Sequence, residues 1–399
     1  MDVQNVNPLN VRLNMISGNL LPITDEDLSF AVPWRIYNIV IWLIQLIQIC
    51  ATIYGFVSVA NREALQDAGT MGILVSVEVL ILLTRMYANR NLGRQLIQKL
   101  NSLLRTEDES MKNIVHSTLK PLEIPLEFYY IGGTGSVIIY CCLPFMLIFK
   151  KKYFFYEDFV MTAAFSKQPF STKVFVLGNL FETISCAFIF LKKVAMDVYM
   201  INLVLLLTTQ YRYVAVKLAT ILRNDSSQNE DHECQKNDRP ADLLVEKKMK
   251  ALCQHYSSVI FTTLMLKKFL FLNMSFIYLN NIFRFCFIDL LFINAIRSGA
   301  IYEVALLIIY VCGALVQLYI VCFCVHQLLD ASKEVTDIAF HEQWYEFKPS
   351  VKHMFRMIIM ANNLKIKLSV SENFSLSLPS FLAILNQSYS VALLLLKVK

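Results

Sequence analysis

The sequence predicts an all-α membrane protein of seven transmembrane helices, with a cytoplasmic N-terminus, an extracellular C-terminus and helices extended into a cytoplasmic anchor region. Three observations carry that prediction. Seven apolar stretches are each long enough for the roughly 20 residues of a bilayer-crossing helix. Of the 399 residues, 56% are hydrophobic and 17% charged, a balance rare in soluble domains. Basic residues also alternate between gaps: the N-terminal segment and the gaps after spans two, four and six hold about 24 Lys and Arg, the remaining gaps and the tail about 9. Positive charge marks the cytoplasmic side, and an odd number of crossings puts the termini on opposite faces. One connection dissents, because Lys150, Lys151, Lys152, Lys167 and Lys173 fall in a gap this arrangement calls extracellular.

Residues 1–35 are polar, contain Pro8, Pro22 and Pro33, and lack the apolar core of a cleavable signal, so they read as a cytoplasmic segment. The spans fall at 36–59, 70–88, 128–149, 174–210, 269–294, 301–328 and 374–396. Between the third and fourth, Tyr153-Phe-Phe-Tyr156 is an aromatic cluster suited to a lid or an interfacial anchor. Span four has no proline and projects beyond the bilayer through Tyr211, Tyr213, Val216 and Leu218. A polar stretch from about 223 to 240 marks a loop. Leu243, Glu246, Met249, Leu252, Tyr256, Val259 and Ile260 then recur at three- and four-residue spacing, so span five begins well below the membrane. Segments 211–268 and 329–373 are therefore expected as cytoplasmic anchor helices. Span six continues until Pro349 breaks it. An amphipathic helix with Met354, Ile358, Ile359 and Leu364 follows, then the last span, so the seventh element is split.

The net charge of +6 comes from residues flanking the spans rather than from one stripe, which fits anionic lipid and not nucleic acid. Ten scattered cysteines argue against a disulfide framework and read as small buried hydrophobes. No enzyme, metal or cofactor is expected: His341-Glu-Gln-Trp-Tyr lacks the second histidine of a zinc motif, and Gly132-Gly-Thr-Gly135 lies inside a span. Charges within spans demand partners, because each costs about 2.5–3.5 kcal/mol at the bilayer centre. Glu78 and Arg85 share a face of span two, Lys193 and Asp197 form an i,i+4 pair, and Arg284 with Asp289 can engage neighbours around span five.

The passage from Asp330-Ala-Ser to Glu342-Gln343-Trp344-Tyr345, and the tail Phe374-Ser-Leu-Ser-Leu-Pro-Ser-Phe381 with Ser388-Tyr-Ser-Val-Ala-Leu-Leu-Leu-Leu396, resemble insect odorant receptors. Length, span count and orientation agree over the whole chain. Gustatory receptors share the plan, but their ending, a Tyr followed by five apolar residues and Gln-Phe, is missing after Tyr389. The odorant co-receptor has a longer second cytoplasmic loop, so this chain looks like a ligand-tuned subunit. A G-protein-coupled receptor would need the reverse orientation and an Asp-Arg-Tyr on the third span; Tyr211-Arg-Tyr213 is on the wrong helix. Paired inverted repeats of a transporter are not apparent.

The resemblance implies an odorant-gated, non-selective cation channel in the plasma membrane of a sensory dendrite. It implies a heterotetramer with the co-receptor, embedded in lipid, its seventh helices around the pore. The last span fits such a pore: Ser377, Ser380, Gln387, Ser388 and Ser390 make a wettable face below Ala392, Leu395 and Leu396, which are expected at the outer constriction. The resemblance also implies a pocket for a small volatile organic ligand in the outer half of spans two, three, four and six. Candidates are Gly133, Ser136 and Tyr140 on one face of span three, Val75 and Glu78 on span two, Phe181, Ile184 and Phe188 on span four, and Tyr302, Leu306 and Tyr310 on span six.

Overall fold

Long apolar stretches without helix-breaking interruptions leave the backbone one way to satisfy its amides away from water, which is to form helices. A computed structural model describes residues 1–23, 32–58, 69–105, 108–229, 240–299, 301–341, 347–362 and 376–397, with no side-chain description at 69–71, 222–229, 240–242, 298, 301–303, 306, 362 and 397. The Glu342–Tyr345 motif and most of the polar stretch after 223 lie outside the described residues. The described helices are α1 (Val3–Val6), α2 (Pro8–Ile16), α3 (Val32–Ser58), α4 (Gly69–Ala88), α5 (Arg90–Leu104), α6 (Glu109–Cys142), α7 (Thr172–Asn229), α8 (Pro240–Ser298), α9 (Ile301–His341), α10 (Pro349–Asn362) and α11 (Leu378–Lys397). Among the described residues, six helices are long and apolar enough to cross a membrane, and α4 with α5, bent 71° apart, brings the total to seven.

Helix α7 is the axis of the bundle. Every residue from 192 to 211 is buried, which requires neighbours on all sides, and α2, α3, α4, α6, α8 and α9 supply them. At 58 residues and about 1.5 Å per residue, α7 is far longer than the roughly 30 Å hydrocarbon core; α8, with 59 residues, is likewise. Both project from one end of the bundle. Gly299, at φ +71°, terminates α8 and lets the chain reverse straight into α9.

At the projecting end, the amphipathic helix α5 buries Leu96, Ile97, Leu100, Leu103 and Leu104. The N-terminal segment is built into the structure there: Val3 N–H donates to Asn101 Oδ1 at 2.8 Å, and Asn19 Nδ2 donates to the Lys192 carbonyl at 3.0 Å. Helix α6 starts 19 residues before the expected span. Its cap is Asp108, which accepts from Ser110 N–H at 3.0 Å, pairs with Lys217 at 2.5 Å and accepts from the Tyr213 hydroxyl at 2.8 Å. The Lys217 ammonium holds the Asp108 carboxyl well below the usual carboxylate range.

The opposite end is covered by the connection from Leu143 to Ser171. Phe154 and Phe170 pair their backbones in one antiparallel bridge, and Phe154 stacks on Phe175 of α7 at 4.1 Å. Tyr156 and Phe159 join this satellite core with Ala51 of α3, while Tyr153 stays 67% exposed. Alternation along extended chain thus splits the aromatic cluster between a packed lid and a solvent or interfacial face.

Candidate functional site

Beneath the lid lies a cavity of about 470 Å³, within the usual range for a small-molecule site. Helix α4 contributes Gly72, Val75 and Ser76. From α6 come Ser136, Val137, Ile139, Tyr140 and Cys141, and from the lid Val160 and Met161. Helix α7 adds Cys186, Ile189 and Phe190, α8 Leu291, Asn294 and Ala295, and α9 Leu307, Ile309 and Tyr310. The walls are mainly apolar, so polar groups decide orientation. Ser76 and Ser136 donate to their own helices, at the Gly72 and Gly132 carbonyls, both at 2.7 Å. Their oxygens therefore offer lone pairs to the cavity.

The floor of the cavity is ionic. Tyr310 has the Arg284 guanidinium 6.0 Å from its ring centroid. Arg284 donates to Gln317 Oε1 at 3.0 Å, and Gln317 Nε2 donates to Asp197 Oδ2 at 2.7 Å. The Lys193 ammonium joins Asp197 at 2.9 Å to Glu78 at 2.7 Å; Asn280 Nδ2 donates to the other Glu78 oxygen at 2.9 Å. The Tyr129 hydroxyl donates to Asp197 at 3.0 Å. Apart from the half-buried Tyr310, these side chains are buried, and two carboxylates balance two cations. Desolvation of Lys193, Glu78 and Asp197 is offset by their direct pairing, while Arg284 reaches Asp197 through Gln317, and five helices, α4, α6, α7, α8 and α9, are tied at one level. A second wall residue touches the network, since Phe190 packs edge-on to Tyr129 at 6.0 Å.

A family model described as the 7tm Odorant receptor matches residues 61–389. The chain belongs to this odorant receptor family. Odorant receptor 67c of Drosophila melanogaster is similar at 20% identity over 206 residues, 50% of this chain and 45% of that protein, so the match spans just under half of that relative's length. Among solved structures, the insect olfactory receptor OR5 from Machilis hrabei is similar with a TM-score of 0.77 at 10% identity, covering 98% of this chain and 97% of its own. The same receptor in complex with eugenol gives a TM-score of 0.74 at 11% identity, covering 99% and 98%. At these identities the shared property is the fold.

In this odorant receptor, four of the eleven expected pocket residues line the cavity: Val75, Ser136, Tyr140 and Tyr310. Gly133 lies just behind the wall, where any Cβ would run into the Phe190 ring. Glu78 is not on the wall, since both its oxygens are engaged by Lys193 and Asn280. Glu78 finds its partners on α7 and α8, and Arg284 finds its partner on α9, as charges that engage neighbouring helices should. On α7 the expected face is rotated. Phe181 packs edge-on to Phe165 of the lid at 5.8 Å, Phe188 meets Tyr37 at 6.3 Å, and Ile184 is exposed. The side chains of Tyr302 and Leu306 lie outside the described residues. Leu291, Asn294 and Ala295 of α8, and Val160 and Met161 of the lid, are wall positions beyond the expected set.

Cys50, Cys142 and Cys312 are exposed rather than buried, Cys234 falls outside the described residues, and the nine described cysteines are free thiols. No group of three or more His, Cys, Asp or Glu side chains gathers among the described residues. On α11, Ser388 and Ala392 (2% exposed) turn into their own subunit together with Ile384. They do so because α11 packs against α8 and α9. Leu395 is 42% exposed, Leu396 half-buried, and the outward stripe runs through Leu382, Asn386, Tyr389, Ser390, Leu393 and Leu394.

Proposed function

We propose that this receptor is the ligand-tuned subunit of an odorant-gated, non-selective cation channel, and that the cavity under the lid takes one small volatile organic molecule. The observation that carries the reading is the seat of Tyr310, a cavity wall residue that also stands over Arg284 of the buried ion network. A ligand that shifts this ring acts on a network joining five helices, so occupancy can bias how the helices pack. That one similar structure is a complex with eugenol supports a ligand of that size.

The pore is proposed on the outward stripe of α11. Asn386 and Ser390 are exposed on a helix of membrane-spanning composition, and lipid is a poor environment for an amide. Water in a central pore, shared with α11 helices of neighbouring subunits, satisfies it. Leu393 and Leu394, one turn on, form the apolar ring that closes by dewetting, in place of Ala392. The partner subunits include the co-receptor, the N-terminus is cytoplasmic, Lys399 is outside, and the assembly works in the plasma membrane of a sensory dendrite.

The test is expression with the co-receptor, screening against a volatile panel and recording with GTP omitted from the cell interior. Evoked current that persists supports the channel. Receptor present at the surface with no response to any volatile, or a current that vanishes without GTP, overturns it. An epitope at Met1 detected only after permeabilisation supports the orientation.

A further inference from the structure

We propose that Cys141, Cys186 and Met161 form a binding site for a soft monovalent metal ion, copper(I) or silver(I), in the cavity wall. Three sulfur atoms from α6, α7 and the lid converge there. The Cys186 thiol donates to Met161 Sδ at 3.5 Å, and Cys141 neighbours Cys186 across the α6–α7 contact. All three residues line the cavity.

Distance and softness agree on the occupant. With metal–sulfur bonds of about 2.3 Å, three sulfurs in a plane around one ion stand about 4 Å apart, so the 3.5 Å contact needs only a small outward movement. Thiolate and thioether donors select copper(I) over harder ions. Zinc requires four donors of His, Cys or carboxylate type, and no group of even three gathers among the described residues. Charge agrees as well. The ion displaces one thiol proton, which leaves to water; one S–H bond breaks and one metal–thiolate bond forms, the second thiol and the thioether donate lone pairs, and no electron is transferred. One monovalent cation replaces one proton, so the buried site gains no net charge.

The triangle is held by one face of α7. Asn179 Nδ2 and the Thr183 hydroxyl donate to the Cys141 carbonyl at 3.3 and 3.5 Å, and Glu182 Oε1 accepts the Met161 amide at 2.5 Å. Cys186 lies one turn further along, so a single helix positions all three donors. Gly72 completes the arrangement, because any side chain there would occupy the place of the Met161 methyl group. A bound ion would tie lid, α6 and α7 together inside the odorant cavity. The effect on gating rests on the channel reading; the site itself does not.

Purified receptor is titrated with silver(I), and retained silver is counted by mass spectrometry after dialysis against glutathione. Wild type is expected to hold about one ion more per chain than Cys141→Ser or Cys186→Ser, and Met161→Leu, with both thiols intact, to weaken retention at least about tenfold. Equal retention in all four proteins means adventitious binding to other cysteines and overturns the site. So does a Met161→Leu protein that retains silver as wild type does. Should a variant be poorly folded, alkylation mapping of wild type decides: silver must protect Cys141 and Cys186 at concentrations that leave the other cysteines reactive. In cells, silver is expected to raise the ligand concentration for half-maximal current in wild type and not in Cys186→Ser. If untreated cells give no evoked current, the channel reading fails and the retention experiment still decides the site.

Discussion

Lys193 reaches Glu78 across the bundle at 2.7 Å while holding Asp197, one turn along its own helix, at 2.9 Å. The three charges are not equivalent. Removing Glu78 leaves Lys193 paired with Asp197, whereas removing Lys193 strands two carboxylates in the interior. Glu78→Gln is therefore expected to cost about 1.5–3 kcal/mol, the loss of a charge-assisted bond, and Lys193→Met about 3–5 kcal/mol, the cost of breaking a buried pair. Thermal unfolding of the purified variants checks the order. If Lys193→Met melts at or above Glu78→Gln, the network is not what orders these helices.

Gly133 faces the Phe190 ring so closely that a side chain at 133 has no room unless the ring moves. Phe190 is a wall residue, so Gly133→Leu drives it into the cavity. Overpacking of this kind costs about 1–3 kcal/mol, and taken from the bound state that is roughly a 5- to 150-fold rise in the ligand concentration for half-maximal current. Phe181→Ala, on the lid side of α7, is expected to stay within about threefold of wild type. A Gly133→Leu dose-response curve that overlays wild type for the bulkiest active ligand would remove Phe190 from the site.

How much of this was legible in the sequence depends on the helix. The spans were, because apolar length is a local property. The pocket face was found on α6, where small residues and a phenol mark one stripe, and missed on α7, where aromatic residues occupy every face. A better signal was present in the charges. Intramembrane charges must turn inward, and stepping from each by three or four residues traces the interior face: Lys193 leads to Ile189 and Cys186, Glu78 to Val75 and Gly72, Arg284 to Leu291 and Ala295. The Lys193–Asp197 pair was legible from its four-residue spacing and forms at 2.9 Å, but the pair with Glu78 was not, since Glu78 and Lys193 are neighbours only after α4 and α7 pack. Of the lid only the aromatic cluster from Tyr153 to Tyr156 was legible, because the lid's order depends on rings meeting Phe175 and on Ala164 N–H donating to the Ala51 carbonyl at 3.0 Å.

At the opposite end, Asp108 joins the start of α6 to the projecting part of α7, and its pairing depends on pH. Its folded-state pKa lies below the ordinary value, with Lys217 the main cause. The contribution is thus complete at neutral pH and down to about 4, and is lost as pH falls further, through the folded value. Asp108→Asn keeps a cap acceptor but removes the charge. Faster amide exchange in the first turns of α6 at pH 7 is expected in this variant, and wild type should resemble it only below about pH 4. Equal protection of the two proteins at pH 7 would show that the pair with Lys217 does not hold α6.

The two faces of α11 make opposite predictions for a polar residue. Leu394 is 63% exposed on the outward stripe, so Leu394→Asn wets the proposed apolar ring and is expected to raise current without ligand severalfold over wild type, at matched surface expression. Ala392 is turned inward against its own subunit. A hydroxyl at 392 can bond back to the Ser388 carbonyl one turn earlier, so Ala392→Ser is expected to leave basal current low. Whole-cell recording of both variants beside the co-receptor separates the faces. High basal current in Ala392→Ser with none in Leu394→Asn would mean that α11 rotates in the assembled channel and that its inward stripe of Ile384, Ser388 and Ala392 lines the pore.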